Sequence, residues 1–322
     1  MRTLIVTDIE GVHGVYDLRN MEQNREFLTS EVESCIMALH ENNIMDITIC
    51  DSHDLGNSIS PKLLEKYDIA CFSGFSSLIL LEKEKYDFII LLGFHGMSGR
   101  ESVLAHTLRP DVRRVWLENG VEIGEVEILC RWFGHLQIPI ILVIGDEEAV
   151  REGNYFNPCR NGCIVKKEIN SNQIGATKSV QNKIRTSLTD ALNTNFSCCI
   201  EKDDIPVYIE LYGDGNEISR IRPEQYVGNR VLRYSSCSAL VRDAEFIMGK
   251  LNSILERRYR ENFEFIKEMR EIAQTVPREL VTDSDIIQLL KREYIWLNED
   301  ERRMLKKYLL TLKKTVEDSR IV

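Results

Sequence analysis

A chain of 322 residues, 43% of them hydrophobic, is long enough to bury a sizeable core in one large or two modest domains. A formal net charge of -10 disfavours nucleic acid and anionic membrane as partners. The nine cysteines are odd in number and scattered through apolar runs, which argues for reduced thiols rather than a disulfide framework. No signal peptide is evident, and no apolar stretch approaches the roughly 20 residues of a membrane helix, so a soluble, cytoplasmic protein is expected.

In chain order, LIVTDIE is a first short strand. SEVESCIMALHENN follows as a predicted helix. Ser30 and Glu33 have the spacing of a capping box there, and Val32, Ile36 and Leu39 share a face. DITICDSH is a second strand, ISPKLLEKYD a loop and short helix, and residues 78–84 a further helical turn. YDFIILLGFHG and IPIILVIGDEEA are continuous apolar runs, as strands covered on both faces require. The acids of GDEEA open a helix. Between these runs, Asn119-Gly120 within VWLENGVEIGE predicts a hairpin at an antiparallel edge. Residues 155–175 read as a connection, followed by a helix through SVQNKIRTSLTDALNT. PVYIELYGDG and NRVLRYSSCS read as strands of a smaller unit that the helix DAEFIMGKLNSILERR closes. The last 65 or so residues are amphipathic, highly charged helices.

The alternation of strand and helix predicts an α/β fold: a largely parallel sheet flanked by helices, with a smaller α+β subdomain and a C-terminal helical extension. The expected boundaries are 1–155 for a metal-binding α/β domain, 156–255 for the subdomain and 256–322 for the extension.

Five residues suited to metal sit where elements end. Asp8 and Glu10 close the first strand, His53 the second and His95 the third apolar run. Glu125 follows the hairpin. Ligands of open parallel sheets bind at the carboxyl ends of the strands, so these groups are expected to converge. Residues i and i+2 of a strand face one side, which would aim Asp8 and Glu10 into one crevice. Gly11 lets the chain turn away, and glycines at 93 and 96 permit close backbone approach around His95. Asp51 is placed to orient a neighbour. Carboxylates and imidazoles meeting in this way point to a two-metal hydrolase. Of the remaining histidines, His13 lies in a loop that could line the site, His40 sits near a helix C-terminus and His135 on the surface. No Gly-rich phosphate loop follows the first strand, which counts against nucleotide binding.

The ordered set TDIEG, DSH, GFHG, SVLAH, NGVEIGE and VIGDEEA resembles the DppA-type D-aminopeptidases, binuclear zinc metallopeptidases, over roughly residues 1–255. The resemblance implies metal ligands Asp8, Glu10, His53, His95 and Glu125, with Asp8 as bridge, two Zn2+ per chain, and His106 as a catalytic histidine that is not a ligand. Manganese or cobalt would also suit such donors. It implies a metal-bound hydroxide attacking short peptides, D-residues included, and a homo-oligomer built as rings of five stacked into a decamer. Ala105 stands where the family has serine, and the tail beyond about residue 255 has no counterpart in short members. Two other functions fit the same residues: a pathway-specific metal-dependent amidohydrolase, and a non-catalytic assembly platform using the tail.

Overall fold

Strand β1 (Arg2–Thr7) lies inside a six-stranded sheet in the computed structural model, which describes residues 1–53, 56–100, 102–109, 112–156, 161–167, 178–196, 201–211, 218–220, 222–243, 307 and 310. The other strands are β2 (Asp46–Asp51), β3 (Ala70–Ser73), β4 (Phe88–Phe94), β7 (Ile140–Asp146) and β8 (Gly162–Lys166). Their order is β3-β2-β1-β4-β7-β8, and every pair is parallel. From β1 the chain runs outward through β2 and β3, then returns to build β4, β7 and β8 on the other side. The order reverses between β1 and β4, and that is where such sheets open a crevice.

Both faces of this sheet are covered. Along β1, Leu4 and Val6 enter one core while Ile5 enters the other. In β4, Ile89 and Leu91 alternate in the same way with Ile90 and Leu92. One face is packed by α1 (Met21–Glu41) and α5 (Lys178–Leu192), which also pack on each other. The other face meets α3 (Glu125–His135) and a second sheet. That sheet is antiparallel, in the order β10 (Tyr226–Gly228), β11 (Val231–Tyr234), β9 (Val207–Leu211), β5 (Val112–Leu117), β6 (Glu122–Ile123). Helix α6 (Cys237–Arg242) packs on α3, and Asp203 accepts from the backbone N–H groups of Cys237 and Ser238 at its start.

Several elements differ from the sequence expectation. Helix α1 begins nine residues before Ser30, so the expected capping box lies within it. The cap is Asn20, whose side chain accepts from the Gln23 backbone N–H at 3.3 Å and donates to its side chain at 3.1 Å. This differs from a capping box in that the Gln23 side chain accepts from the Asn20 side chain rather than from its backbone N–H. Residues 155–175 are not all connection, because 162–166 form β8. The Asn119-Gly120 hairpin is present, but it lies in the second sheet, and α3 starts directly after it. The short helix α2 (Pro61–Tyr67), the 3-10 segment Phe75–Lys83 and the helix α4 (Glu147–Phe156) fall where expected. The expected helix from 244 onward and the charged tail lie outside the described residues, except Lys307 and Leu310. Among the described residues no helix is long and apolar enough to cross a membrane.

The crevice depends on two glycines. Gly93 has φ +83°, and a Cβ there would lie 2.1 Å from the Asp8 carbonyl oxygen. Gly11 needs space rather than a special dihedral: a Cβ on it would lie 1.6 Å from the carbonyl oxygen of Phe94. The Gly11 N–H donates to the Gly93 carbonyl at 2.8 Å, which locks the contact. Replacing Gly11 by alanine is expected to cost about 2 kcal/mol or more. A melting experiment should show a Tm lower by roughly 5 °C or more; an unchanged Tm would mean the two backbones are not held this close.

Candidate metal centre

Strand β1 ends at Thr7, so Asp8 and Glu10 stand in the loop beyond it and are not aimed by strand alternation. The turn over β4 directs them instead: the Asp8 N–H donates to the Leu92 carbonyl at 2.8 Å. His53 follows β2, anchored by Ser52, whose backbone N–H and hydroxyl both donate to the Thr7 carbonyl. His95 follows β4. Glu125 is the first residue of α3, and its Oε1 accepts from the Leu108 N–H at 2.7 Å.

The five expected ligands and His106 do come together. The two oxygens of Asp8 diverge, with Oδ1 3.4 Å from His53 Nδ1 and Oδ2 3.3 Å from His95 Nε2. Glu10 Oε2 is 3.1 Å from His53 Nδ1. Glu125 Oε1 is 3.6 Å from His95 Nε2 and 4.0 Å from His106 Nε2. The donor atoms of Asp8, Glu10 and His53 all lie within 4.8 Å of one another, and so do those of His95, His106 and Glu125. Asp8 joins the two groups. The rings of His95 and His106 stack with centroids 4.2 Å apart and planes 10° from parallel.

Charge at the site is unbalanced in favour of carboxylates. Burial would lift the Asp8 carboxyl, but the His53 and His95 imidazoles beside it hold it well below the ordinary range. Burial would lower His53, yet Glu10 and Asp8 raise it to about 11, and His95 is raised well above 6.5 against its own burial. Burial and the nearby Asp8 push Glu125 up. The carboxylates therefore demand positive charge between them. Protons supply it on the rings, or a divalent cation supplies it by displacing them.

The residues fit a cation on two further grounds. Asp8 Oδ2 and His95 Nε2 are both buried and neither has a hydrogen-bond partner, and such orphaned groups are costly unless something else satisfies them. His95 Nδ1–H donates to the Gly96 carbonyl at 2.9 Å, which leaves Nε2 as the ring atom facing Asp8 and Glu125. This is how metal-binding imidazoles are oriented.

Of the residues that brace these groups, sequence reading gave an orienting role to Asp51 and none to Asp146 or Glu152. Asp146, at the end of β7, accepts from the Gly96 N–H at 3.0 Å, from the Ser102 hydroxyl and from the Ala149 N–H. It thereby ties the His95 turn, the His106 loop and the start of α4. The acids of GDEEA were its only signal. Glu152 accepts from the Gly124 and Glu127 N–H groups at 2.7 and 3.0 Å and fixes the first turn of α3, from which Glu125 projects. Burial pushes its carboxyl up to about 7. Asp51 accepts from the Ser58 N–H at 2.5 Å, bracing the segment after β2. His13 does not line the site. Its Nδ1 bonds to the Val165 carbonyl behind it. His40 lies in the last turn of α1, and His135 is exposed.

The chain matches a family model described as D-aminopeptidase over residues 1–213. It is 25% identical over 186 residues to the D-aminopeptidase of Bacillus subtilis (strain 168), an alignment covering 54% of this chain and 66% of that protein. Its fold is similar to the solved Zn-dependent D-aminopeptidase DppA from Bacillus subtilis, described as a self-compartmentalizing protease. The TM-score is 0.67 at 20% identity, covering 78% of this chain and 97% of that one. With a family match over well beyond half its length, and the strand-end residues of the resemblance gathered at one crevice, this chain belongs to the D-aminopeptidase family.

Proposed function

We propose that the chain is a metal-dependent aminopeptidase acting on short peptides, with Asp8 shared between two cation positions. The observation that carries this reading is the divergence of the Asp8 oxygens toward two separate imidazoles, each with its own carboxylate. Asp8, Glu10 and His53 would hold one ion, and Asp8, His95 and Glu125 the other, zinc being the natural choice for mixed nitrogen and oxygen donors. Two such ions, when bound, supply Lewis acidity and lower the pKa of water toward neutrality.

The protein's own part is positioning and proton handling. Glu125 Oε1 is held by the Leu108 N–H and is the oxygen that faces His95 and His106, so this bond fixes the carboxylate at the second position. His106 Nδ1 lies 2.9 Å from the Leu104 carbonyl and donates to it, leaving Nε2 as the atom that takes or gives a proton. In the protonated state Nε2–H serves the leaving amine or the oxyanion. The two residues flanking this loop, Leu104 and Leu108, have φ of +68° and +61°. Such backbone persists only where the surroundings over-determine it, and it gathers at functional sites. The family relation favours D-residues at the amino terminus and a homo-oligomer.

The test compares hydrolysis of D-alanine and L-alanine p-nitroanilides by the full chain. Preferential cleavage of the D-substrate is expected. Cleavage of neither by protein carrying its metals would contradict the aminopeptidase reading.

A further inference from the structure

The loop after β1 makes an unusual journey. It crosses β4, where Gly11 bonds to Gly93, and reaches β8, three strands from β1 in the sheet. At the spacing of neighbouring strands that is a span of roughly 14 Å. Three of its residues meet the end of β8. Glu10 offers its carbonyl to Lys166 Nζ at 2.5 Å, and His13 Nδ1 bonds to the Val165 carbonyl at 2.8 Å. Lys166 Nζ also lies 5.3 Å from the centroid of the Tyr16 ring. From the opposite side, Glu31 of α1 accepts from the His13 N–H at 2.9 Å.

Lys166 is itself buried, as are Glu10, His13 and Glu31. A buried lysine is rare unless its ammonium has a specific task. Lys166 donates to a main-chain oxygen of the loop and not to a carboxylate. A point charge with three donors on a long stem suits reaching across the sheet to grip one carbonyl.

We infer that Lys166 is a positioning residue that fixes the Asp8–Glu10 loop from behind and so sets the carboxylate of Glu10 for the ion it would share with His53. The inference rests on the metal-centre reading. It assigns the two ion positions different dependences: the Asp8, Glu10, His53 position leans on β8, whereas the Asp8, His95, Glu125 position leans on Asp146 and Glu152.

The test strips the full chain with a chelator and titrates it with zinc chloride against a competing chromophoric chelator. The wild type is compared with Lys166→Met, which keeps the stem, and Lys166→Gln, which keeps a donor without the charge. Circular dichroism and melting confirm that each variant is folded. Loss of an outer partner of a ligand costs metal affinity about 10–100-fold. One of the two zinc equivalents is therefore expected to weaken by that factor in Lys166→Met while the other keeps its wild-type affinity, with partial recovery in Lys166→Gln. If Lys166→Met does not fold, the same split is read from Lys166→Gln, expected at the lower end of that range. Equal weakening of both equivalents, unchanged affinity of both, or tighter binding from removal of the positive charge would each overturn the inference. If the wild type binds no zinc, the metal-centre reading itself fails, and the two failures are thereby separated.

Discussion

Replacing Asp8 by asparagine is expected to lower zinc affinity by more than about 100-fold and to abolish measurable turnover, because losing even an outer-shell partner of a ligand costs 10–100-fold. Asparagine is nearly isosteric, so it fits the same buried pocket under the β4 turn. What it lacks is the charge that draws both imidazoles and the second anionic oxygen needed to serve two ions. In the metal-free protein the substitution removes a carboxylate whose ionised form depends on His53 and His95. Because the depressed Asp8 carboxyl marks an ionised group that the two imidazoles stabilise in the fold, the stripped variant is expected to melt below the stripped wild type while still folding. Elemental analysis and a D-alanine p-nitroanilide assay on the same sample check the result. A variant that keeps both metals and full activity would remove Asp8 from the centre.

Replacing His106 by alanine is expected to leave zinc content unchanged and to lower kcat by about 100- to 10,000-fold, the range for loss of a positioned acid or base. The geometry makes this a real test. His106 Nε2 lies 4.0 Å from Glu125 Oε1, and its donor atom falls in one cluster with those of His95 and Glu125. It is thus close enough to compete as a ligand. Two features favour the proton role. Glu125 already faces His95 at 3.6 Å, and the His106 ring stacks flat on His95, so it lies beside that ring rather than converging on a common point with it. Loss of one zinc equivalent in the variant would make His106 a ligand and shift the proton role elsewhere.

The candidate site was legible because strand ends are short-range features of sequence. Asp8, His53 and His95 each follow an apolar run, and the parallel topology brings such ends together whatever the details of the turns. Gly93 was recognisable as a place of close approach, whereas Gly11 was read as a turn and acts instead by leaving space for the Phe94 carbonyl. The bracing residues were not legible. Asp146, Glu152 and Lys166 act on backbone groups far away in the chain, and no local pattern encodes which N–H or carbonyl will arrive beside them.

The fold misreadings have a related cause. Helix α1 buries Asn24, Glu31 and Ser34 on its inward face, so its apolar stripe fades and its true start at Asn20 is masked. Helix α3 buries Glu127 and Arg131 as an ion pair at 2.6 Å, and its opening EVEI continues the alternation of the hairpin before it. Strand β8 is five residues long and ends in the buried Lys166, which reads as a surface residue until its partner is known. In each case polar side chains enter the interior, and hydrophobic periodicity weakens there.

The central claim is that two cation positions meet at Asp8. Its most direct test is elemental analysis of the purified full chain after reconstitution with zinc and removal of the excess, paired with activity before and after chelation. The account predicts close to two zinc equivalents per chain, with activity lost on chelation and restored by zinc. Full activity in chelated protein that holds no metal would contradict it.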